Sequence, residues 1–224
     1  MERIIRIGTR KSPLALKQVE EVLEALKRQG TFLSCVIVDL ETTGDLDKKT
    51  ALSEVEGSDF FTRELDRALL EGEIDCAVHS AKDLPDEIPD GLEVAVMTPS
   101  PEAADALVSR GGKKFSELPP GARIGVSSRR RKEQVRNFRP DLVAIDIRGT
   151  IGERLQQLDA GQYDAVIIAA VALLRLGWAH RIAEKLDLRA FPPHLFQGRL
   201  AVLVRKGDPL GDVFAQLEGN LSHV

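Results

Sequence analysis

The sequence predicts an α/β protein of two lobes, with mainly parallel sheets and a ligand cleft between the lobes. Short apolar runs alternate with segments of helical period, which is the pattern of parallel β-α-β units. This alternation stops at the proline-rich segment 99–101 and then restarts, and a second break follows at 191–193. Because the chain would cross twice between the lobes, we expect a hinge with the cleft beside it.

The first lobe is expected to open with a strand and a helix. Ser12 suits the cap of that helix, Pro13 suits its first position, and Gly30 suits its end. The elements predicted for this lobe are a strand over 4–7, the helix over 13–29, a strand over 35–40, a long loop over 42–57, a helix over 61–69 and a strand ending at His79.

The second lobe repeats the alternation. Thr150 and Glu153 form a Thr-x-x-Glu capping box, a fairly specific signal for a helix start. The predicted elements are strands over 123–126, 143–147 and 165–170 and helices over 129–138 and 150–158. A strand over 201–204 and a helix over 213–217 are expected to return to the first lobe. We therefore assign residues 1–98 and 198–224 to lobe 1, and residues 99–197 to lobe 2.

Composition excludes several classes of protein. The 224 residues carry a net charge of −4, which argues against bulk nucleic-acid binding. No apolar run approaches the ~20 residues that span a bilayer, and no signal peptide is visible, so a cytoplasmic location without membrane contact is expected. Cys35 and Cys76 lie in apolar strand-like runs and are expected to be reduced core thiols. Cysteine and histidine spacing predicts no metal site.

Asp83 is the first candidate for chemistry. It closes the polar segment that begins with His79, directly after the buried apolar run 76–78. Ligands of open α/β sheets bind at the carboxyl ends of strands, and a carboxylate there can stabilise a developing cation. The structural alternative is a turn in which Asp83 pairs with Lys82. His79 ends an apolar strand, so we interpret it as a hydrogen-bonded core residue.

Arginine-rich segments follow other predicted strands. Arg129 to Arg131 stand at a helix start after Ser127 and Ser128, where free N–H groups attract anions. Arginine adds paired donors that match a carboxylate or a phosphate. The alternative is a solvated basic helix start.

Two further junctions have the same character. Arg148 precedes a helix and Arg154 lies one turn into it, while Gly149 and Gly152 are expected to permit close backbone approach. The segment 10–12 precedes the first helix. If these strand ends converge on Asp83, they suit a substrate with several carboxylates and one cationic centre.

Five segments, in order, resemble the porphobilinogen deaminase (hydroxymethylbilane synthase) family. They are RIGTRKSPLAL at 6–16, DCAVHSAKDLP at 75–85, GVSSRRR at 125–131, RGTIGERL at 148–155 and YDAVIIAAVALLRLG at 163–177. The similarity runs to about residue 205. With this resemblance, the expected fold is the two-lobe, periplasmic-binding-protein-like (type II) α/β architecture.

The resemblance implies a transferase that deaminates porphobilinogen and joins the units into linear hydroxymethylbilane, a precursor of haem and other tetrapyrroles. Loss of ammonia leaves a cationic azafulvene, and each pyrrole carries acetate and propionate groups. Asp83 matches the family's catalytic aspartate. The positions assigned to cofactor and substrate binding are Arg10, Ser12, Ser80, Lys82, Ser128, Arg130, Arg131, Arg148, Arg154 and Gln197. Porphobilinogen and pyrrole oligomers are the implied partners.

The chain departs from the family pattern in three places. Family members carry a third domain whose cysteine bonds a dipyrromethane cofactor, and neither Cys35 nor Cys76 matches it. The family's lysine-bearing loop reads EVEGSD at 54–59, and its Gly-Gln-Gly segment reads Phe196-Gln197-Gly198. We therefore expect a short form that holds dipyrromethane non-covalently or extends substrate without a permanent primer. The alternatives are a fragment whose third domain lies on a separate chain, and a non-catalytic two-lobe protein that binds polycarboxylates.

Overall fold

The computed structural model describes residues 4–47, 50, 54–55 and 57–218, and these fall into two compact units. The first unit comprises residues 4–47, 57–101 and 198–218. The second comprises residues 102–197, together with residues 50, 54 and 55. Each unit has its own sheet and its own apolar core.

A five-stranded sheet forms the centre of the first unit. Its strands are β1 (Ile5–Arg10), β2 (Cys35–Leu40), β3 (Cys76–Ser80), β4 (Leu92–Met97) and β10 (Leu200–Arg205). They lie in the order β2-β1-β3-β10-β4. β1 is parallel to β2 and β3, whereas β10 is antiparallel to β3 and β4.

The α-helices described in the first unit are α1 (Pro13–Arg28), α2 (Thr43–Leu46), α3 (Arg63–Leu70) and α7 (Leu210–Ala215). Helix α1 starts as predicted, because the Ser12 hydroxyl accepts a hydrogen bond from the Ala15 N–H at 3.1 Å. Its buried face, which includes Val19, Val22 and Leu26, packs into the core beneath the sheet.

The second unit repeats this plan. Its sheet has the order β7-β6-β8-β5-β9, built from β5 (Asp105–Ser109), β6 (Arg123–Val126), β7 (Val143–Asp146), β8 (Ala165–Ala169) and β9 (Glu184–Lys185). β6 is parallel to β7 and β8, and β5 is antiparallel to β8 and β9. The helices are α4 (Arg129–Phe138), α5 (Ile151–Asp159) and α6 (Ala170–Arg175). The capping box of Thr150 and Glu153 forms as predicted.

The expectation of mainly parallel sheets was wrong, because both sheets are mixed. In the first, β10 returns late in the chain and enters antiparallel between β3 and β4. In the second, β5 enters in the same way beside β8. Alternating β-α-β periods do not reveal these pairs, since a strand's direction depends on where the chain re-enters the sheet.

The predicted long loop over 42–57 contains the short helix α2. Thr42 caps it, because its hydroxyl accepts from the Asp45 N–H at 3.3 Å. In return, Asp45 Oδ2 accepts from the Thr42 N–H at 3.3 Å and from the Thr42 hydroxyl at 2.8 Å. The remainder of that prediction falls partly on residues 48–49, 51–53 and 56, which lie outside the described residues.

Candidate functional site

The carboxyl edge of the first sheet gathers the predicted catalytic segment. β1 and β3 are parallel neighbours, with Ile7 opposite Cys76, so Arg10 and Ser80 end their strands at the same edge. A 3₁₀ turn over Ala81–Asp83 follows β3 directly and carries both Lys82 and Asp83. The sequence therefore placed Asp83 correctly at the end of a buried strand.

A small cavity of about 50 Å³ opens at this edge. Its lining contains five of the polar side chains singled out by sequence, together with Gln18 and Phe61, which sequence reasoning missed. The lining residues are Arg10, Ser12, Leu14, Ala15, Gln18, Phe61, Val78, His79, Ser80 and Asp83.

Arg10 is the central charge of the cavity. Its Nη1 lies 3.7 Å from Asp83 Oδ2, which is beyond hydrogen-bond distance but within ion-pair range. Its guanidinium carbon lies 4.1 Å from the ring centre of Phe61, in a cation–π contact. The other two nitrogens of the Arg10 guanidinium bind Asp45, with Nε donating to Oδ2 at 3.3 Å and Nη2 donating to Oδ1.

Two serines line the cavity beside α1. Ser12 caps α1, so the positive end of that helix lies at the cavity. Ser80 Oγ accepts a hydrogen bond from Gln18 Nε2 at 2.8 Å. The serine hydroxyls and the N–H groups at the α1 start can donate to a carboxylate, and the anion site at residues 10–12 stays a prediction.

His79 differs from its expected role. The residue is buried, but its Nε2 has no hydrogen-bond partner among the described residues. Burial, assisted by the Arg10 charge, lowers the pKa of His79 to about 4. The imidazole is therefore neutral at physiological pH; it is buried as expected, but its Nε2 lacks the expected hydrogen bond among the described residues.

The arginines of the second unit form their own cluster at the corresponding edge of its sheet. Arg131 donates through Nε and Nη2 to the two oxygens of Asp105, and Arg130 Nη2 donates to Asp105 Oδ2 at 2.9 Å. Gln197 donates to Asp105 Oδ1 at 2.9 Å and accepts from Arg131. Asp105 thus organises three of the predicted binding residues, and sequence reasoning missed it because β5 was not predicted.

The charge on Asp105 is strongly favoured. Its side chain is fully buried, and burial by itself would raise its pKa. The Arg131 and Arg130 guanidinium groups outweigh that effect and hold the pKa of Asp105 well below its usual range. Only 5% of the Arg131 side chain is exposed, so this arginine serves mainly to build the site.

Arg154 and the serines complete this edge. Ser128 caps α4 by accepting from the Arg131 N–H at 3.2 Å. Ser127 Oγ accepts from Arg154 Nη1 at 2.9 Å and from Arg131 Nη1 at 3.3 Å. Two of the predicted arginines, Arg131 and Arg154, are therefore joined through Ser127.

Arg148 lines an open depression together with Glu153 and Gln157. Gly149 has a φ of +103°, which explains the glycine. Gly152 was also expected to permit close backbone approach. Within the protein no such approach is found there, since an added Cβ would make only an ordinary 3.5 Å contact with Trp178.

The two cysteines lie away from the cavity in the first unit. Cys76 is fully buried in β3, and burial raises the pKa of its thiol. Cys35 is half-buried on the edge strand β2. Among the described residues, no group of three His, Cys, Asp or Glu side chains could hold a metal ion. The described helices also include none that is long and apolar enough to cross a bilayer.

Two solved structures share the fold of this chain. An ABC transporter periplasmic substrate-binding protein from Coxiella burnetii gives a TM-score of 0.59 at 15% identity, covering 96% of this chain and 92% of that one. The VFT2 domain of Bordetella pertussis BvgS gives 0.53 at 18% identity, with 98% and 88% covered. The fold is thus the two-lobe, periplasmic-binding-protein-like α/β architecture of type II.

Sequence relatives identify the family. The model for the porphobilinogen deaminase dipyromethane cofactor binding domain matches residues 5–211. Porphobilinogen deaminase of Pelobacter propionicus is 43% identical over 208 residues, which are 93% of this chain and 67% of that protein. That of Syntrophobacter fumaroxidans is 39% identical over all 224 residues, which span 72% of its length. The chain belongs to the porphobilinogen deaminase family.

Proposed function

We propose that this chain is a hydroxymethylbilane synthase, which removes ammonia from porphobilinogen and joins the pyrroles head to tail. The observation that carries the proposal is the position of Asp83, at a strand end, in a cavity that also holds Arg10 and Phe61. The side chain of Asp83 is 28% exposed, so it is partly shielded from water yet reachable.

The chemistry needs a fixed negative charge beside the pyrrole. When ammonia leaves the aminomethyl carbon, the pyrrole nitrogen shares the positive charge of the resulting azafulvene. A carboxylate already in place stabilises that charge without reorganisation of solvent. Asp83 supplies this carboxylate, and its 3.7 Å separation from Arg10 Nη1 keeps it from a tight paired hydrogen bond.

Each substrate pyrrole carries two carboxylates, which need donors. In the first unit, the α1 start with Ser12, and Arg10 beside it, supply them. Lys82 adds a cation in the turn that carries Asp83. In the second unit, Arg148 and Arg154 are assigned the same role. The remaining assigned residues support these groups through the contacts described above; they are Ser80, Ser128, Arg130, Arg131 and Gln197.

The residues of the first unit also fit a dipyrromethane. The neutral His79, whose Nε2 has no described partner, and the α1 start offer polar contacts to a pyrrole and its carboxylates. When bound, this group supplies the pyrrole carbon to which the first substrate unit is joined. Cys35 and Cys76 do not line the cavity, so we infer that neither anchors it covalently. A cytoplasmic location stays a prediction.

The test measures ammonia release from porphobilinogen, with and without an added dipyrromethane. An aldehyde reagent for pyrroles measures how much porphobilinogen is consumed. Asp83→Asn should abolish release and leave porphobilinogen binding within about threefold, because the amide keeps the shape and loses the charge. Asp86→Asn is the matched control, an exposed aspartate three residues along the chain. Near-native turnover in Asp83→Asn would overturn the assignment. Binding without ammonia release by the unaltered chain would favour a non-catalytic polycarboxylate binder.

A further inference from the structure

Asp45 is the strongest partner of Arg10, although no motif marks it. The two acidic oxygens of Asp45 accept from Nε and Nη2 of Arg10, whereas Asp83 approaches only Nη1. One guanidinium thus lies between two carboxylates, and the contact with Asp45 is the closer one. Burial opposes ionisation of Asp45, but the hydrogen bonds and charge of Arg10 hold its pKa below the ordinary value.

The position of Asp45 is fixed by its own surroundings. The Thr42 N–H and hydroxyl both donate to Asp45 Oδ2, at 3.3 and 2.8 Å. The next residue, Thr43, donates through its N–H and hydroxyl to Glu64 Oε1 in helix α3. Helix α2 is thereby tied to the rest of the first unit, and the Asp45 carboxylate cannot follow Arg10 freely.

Phe61 lies against the Arg10 guanidinium and limits where it can move. Gly44 lies so close to Phe61 that an added Cβ would stand 2.2 Å from the ring. The Gly44 N–H also donates to the Phe60 carbonyl at 3.0 Å. The ring is therefore held between α2 and Arg10, and the guanidinium lies over it at 4.1 Å. The paired bonds to Asp45 and this ring together fix which nitrogen faces Asp83.

We propose that Asp45 is a positioning residue, which holds Arg10 back from Asp83 so that Asp83 keeps its charge for the substrate cation. Without Asp45, the Arg10 guanidinium is free to turn and bind Asp83 through Nη1 and Nη2, which leaves Nε without a carboxylate acceptor. A carboxylate paired in that way has less negative potential to offer a developing cation. This inference rests on the proposed function for its catalytic consequence, but the pairing that it describes does not.

The first arm of the test measures the pairing directly, by exchange of the Arg10 Nε–H with water in NMR spectra, assigned with Arg10→Lys. The Nε–H donates to Asp45, so Asp45→Asn should speed its exchange at least tenfold, because a neutral amide is a weaker acceptor. Asp83→Asn should leave that exchange unchanged. Equal effects from the two variants, or no effect from Asp45→Asn, would overturn the inference whether or not the chain is a deaminase.

The second arm uses turnover. Asp45→Asn should lower kcat for ammonia release by about 10- to 100-fold, as expected for loss of a charge-assisted bond, with KM within about threefold. Asp45→Glu restores the charge and should recover most of kcat. Asp59→Asn removes another paired arginine–aspartate contact, with Arg63, and should change neither constant. If Asp45→Asn fails to fold, Asp45→Glu carries the test. A loss of kcat in a folded Glu variant as large as that in Asp83→Asn would contradict positioning by charge.

Discussion

Arg131 and Asp105 form a buried, two-pronged ion pair at the carboxyl edge of the second sheet. The Nε and Nη2 groups of Arg131 reach the two carboxylate oxygens of Asp105, and both side chains are almost wholly excluded from solvent. An arginine so engaged has little of its fork left for a ligand. The pair therefore shapes the site through Arg130 and Gln197, which both contact Asp105.

Removing Asp105 should cost far more stability than removing a surface partner. Asp105→Ala leaves the buried Arg131 uncompensated, so we expect the free energy of unfolding to fall by about 3–5 kcal/mol. Asp159→Asn breaks an exposed pair with Arg181 and should cost less than about 1 kcal/mol. Urea unfolding of the two variants compares them. Similar losses of unfolding free energy in both variants would mean that the buried pair stabilises the fold no more than the exposed pair does.

The same pair should make the protein sensitive to acid. Asp105 has a folded pKa well below its ordinary value of 3.8, so its stabilisation is present above about pH 4. It is lost as pH falls below that value towards the folded pKa. The slope of unfolding free energy against pH below 4 should therefore be smaller in Asp105→Asn than in the unaltered chain.

The sequence predicted those parts of the fold and site that depend on local pattern. Asp83 could be found because it follows a buried strand, and Ser12 and Thr150 because caps have short-range signatures. Asp105 and Asp45 could not be found in this way. Asp105 reaches Arg131 only through the antiparallel strand β5, and Asp45 reaches Arg10 across 35 residues of chain. Contacts made by strand order and by irregular segments leave no periodic signal.

Asp66 should give the opposite pH dependence. It is buried in α3, and burial, with the nearby charges of Asp59 and Glu64, raises its pKa to about 6. The unfolded chain releases this proton near pH 4 and the folded chain only near pH 6, so stability falls as pH rises between those values. Asp66→Asn should remove this fall and raise stability at pH 7.5. Urea unfolding at pH 4.5 and 7.5 tests it, and an unchanged pH dependence would refute the assignment.

Two glycines should respond oppositely to alanine. Gly152 lies inside α5 with room for a methyl group, so Gly152→Ala should stabilise the protein by about 0.5–1 kcal/mol. Gly44→Ala would push into Phe61 and the Phe60 carbonyl, and should lower both stability and ammonia release. Thermal unfolding and turnover distinguish the two. Gain of stability at both positions would show that Phe61 is not held against α2.

The mass of the denatured protein tests how a primer is held. Cys76 is fully buried, and its thiol has a raised pKa, so little reactive thiolate is available. Cys35 is half-buried on an edge strand and does not line the cavity. Any dipyrromethane should therefore be held by ion pairs and hydrogen bonds, which salt weakens at exposed contacts.

We expect the denatured chain to show its unmodified mass. Any pyrrole colour should leave in the small-molecule fraction, and it should leave faster at high salt. The control is Cys35→Ser, which should retain the same colour before denaturation. An adduct mass on Cys35 or Cys76 would contradict both the burial argument and the non-covalent primer.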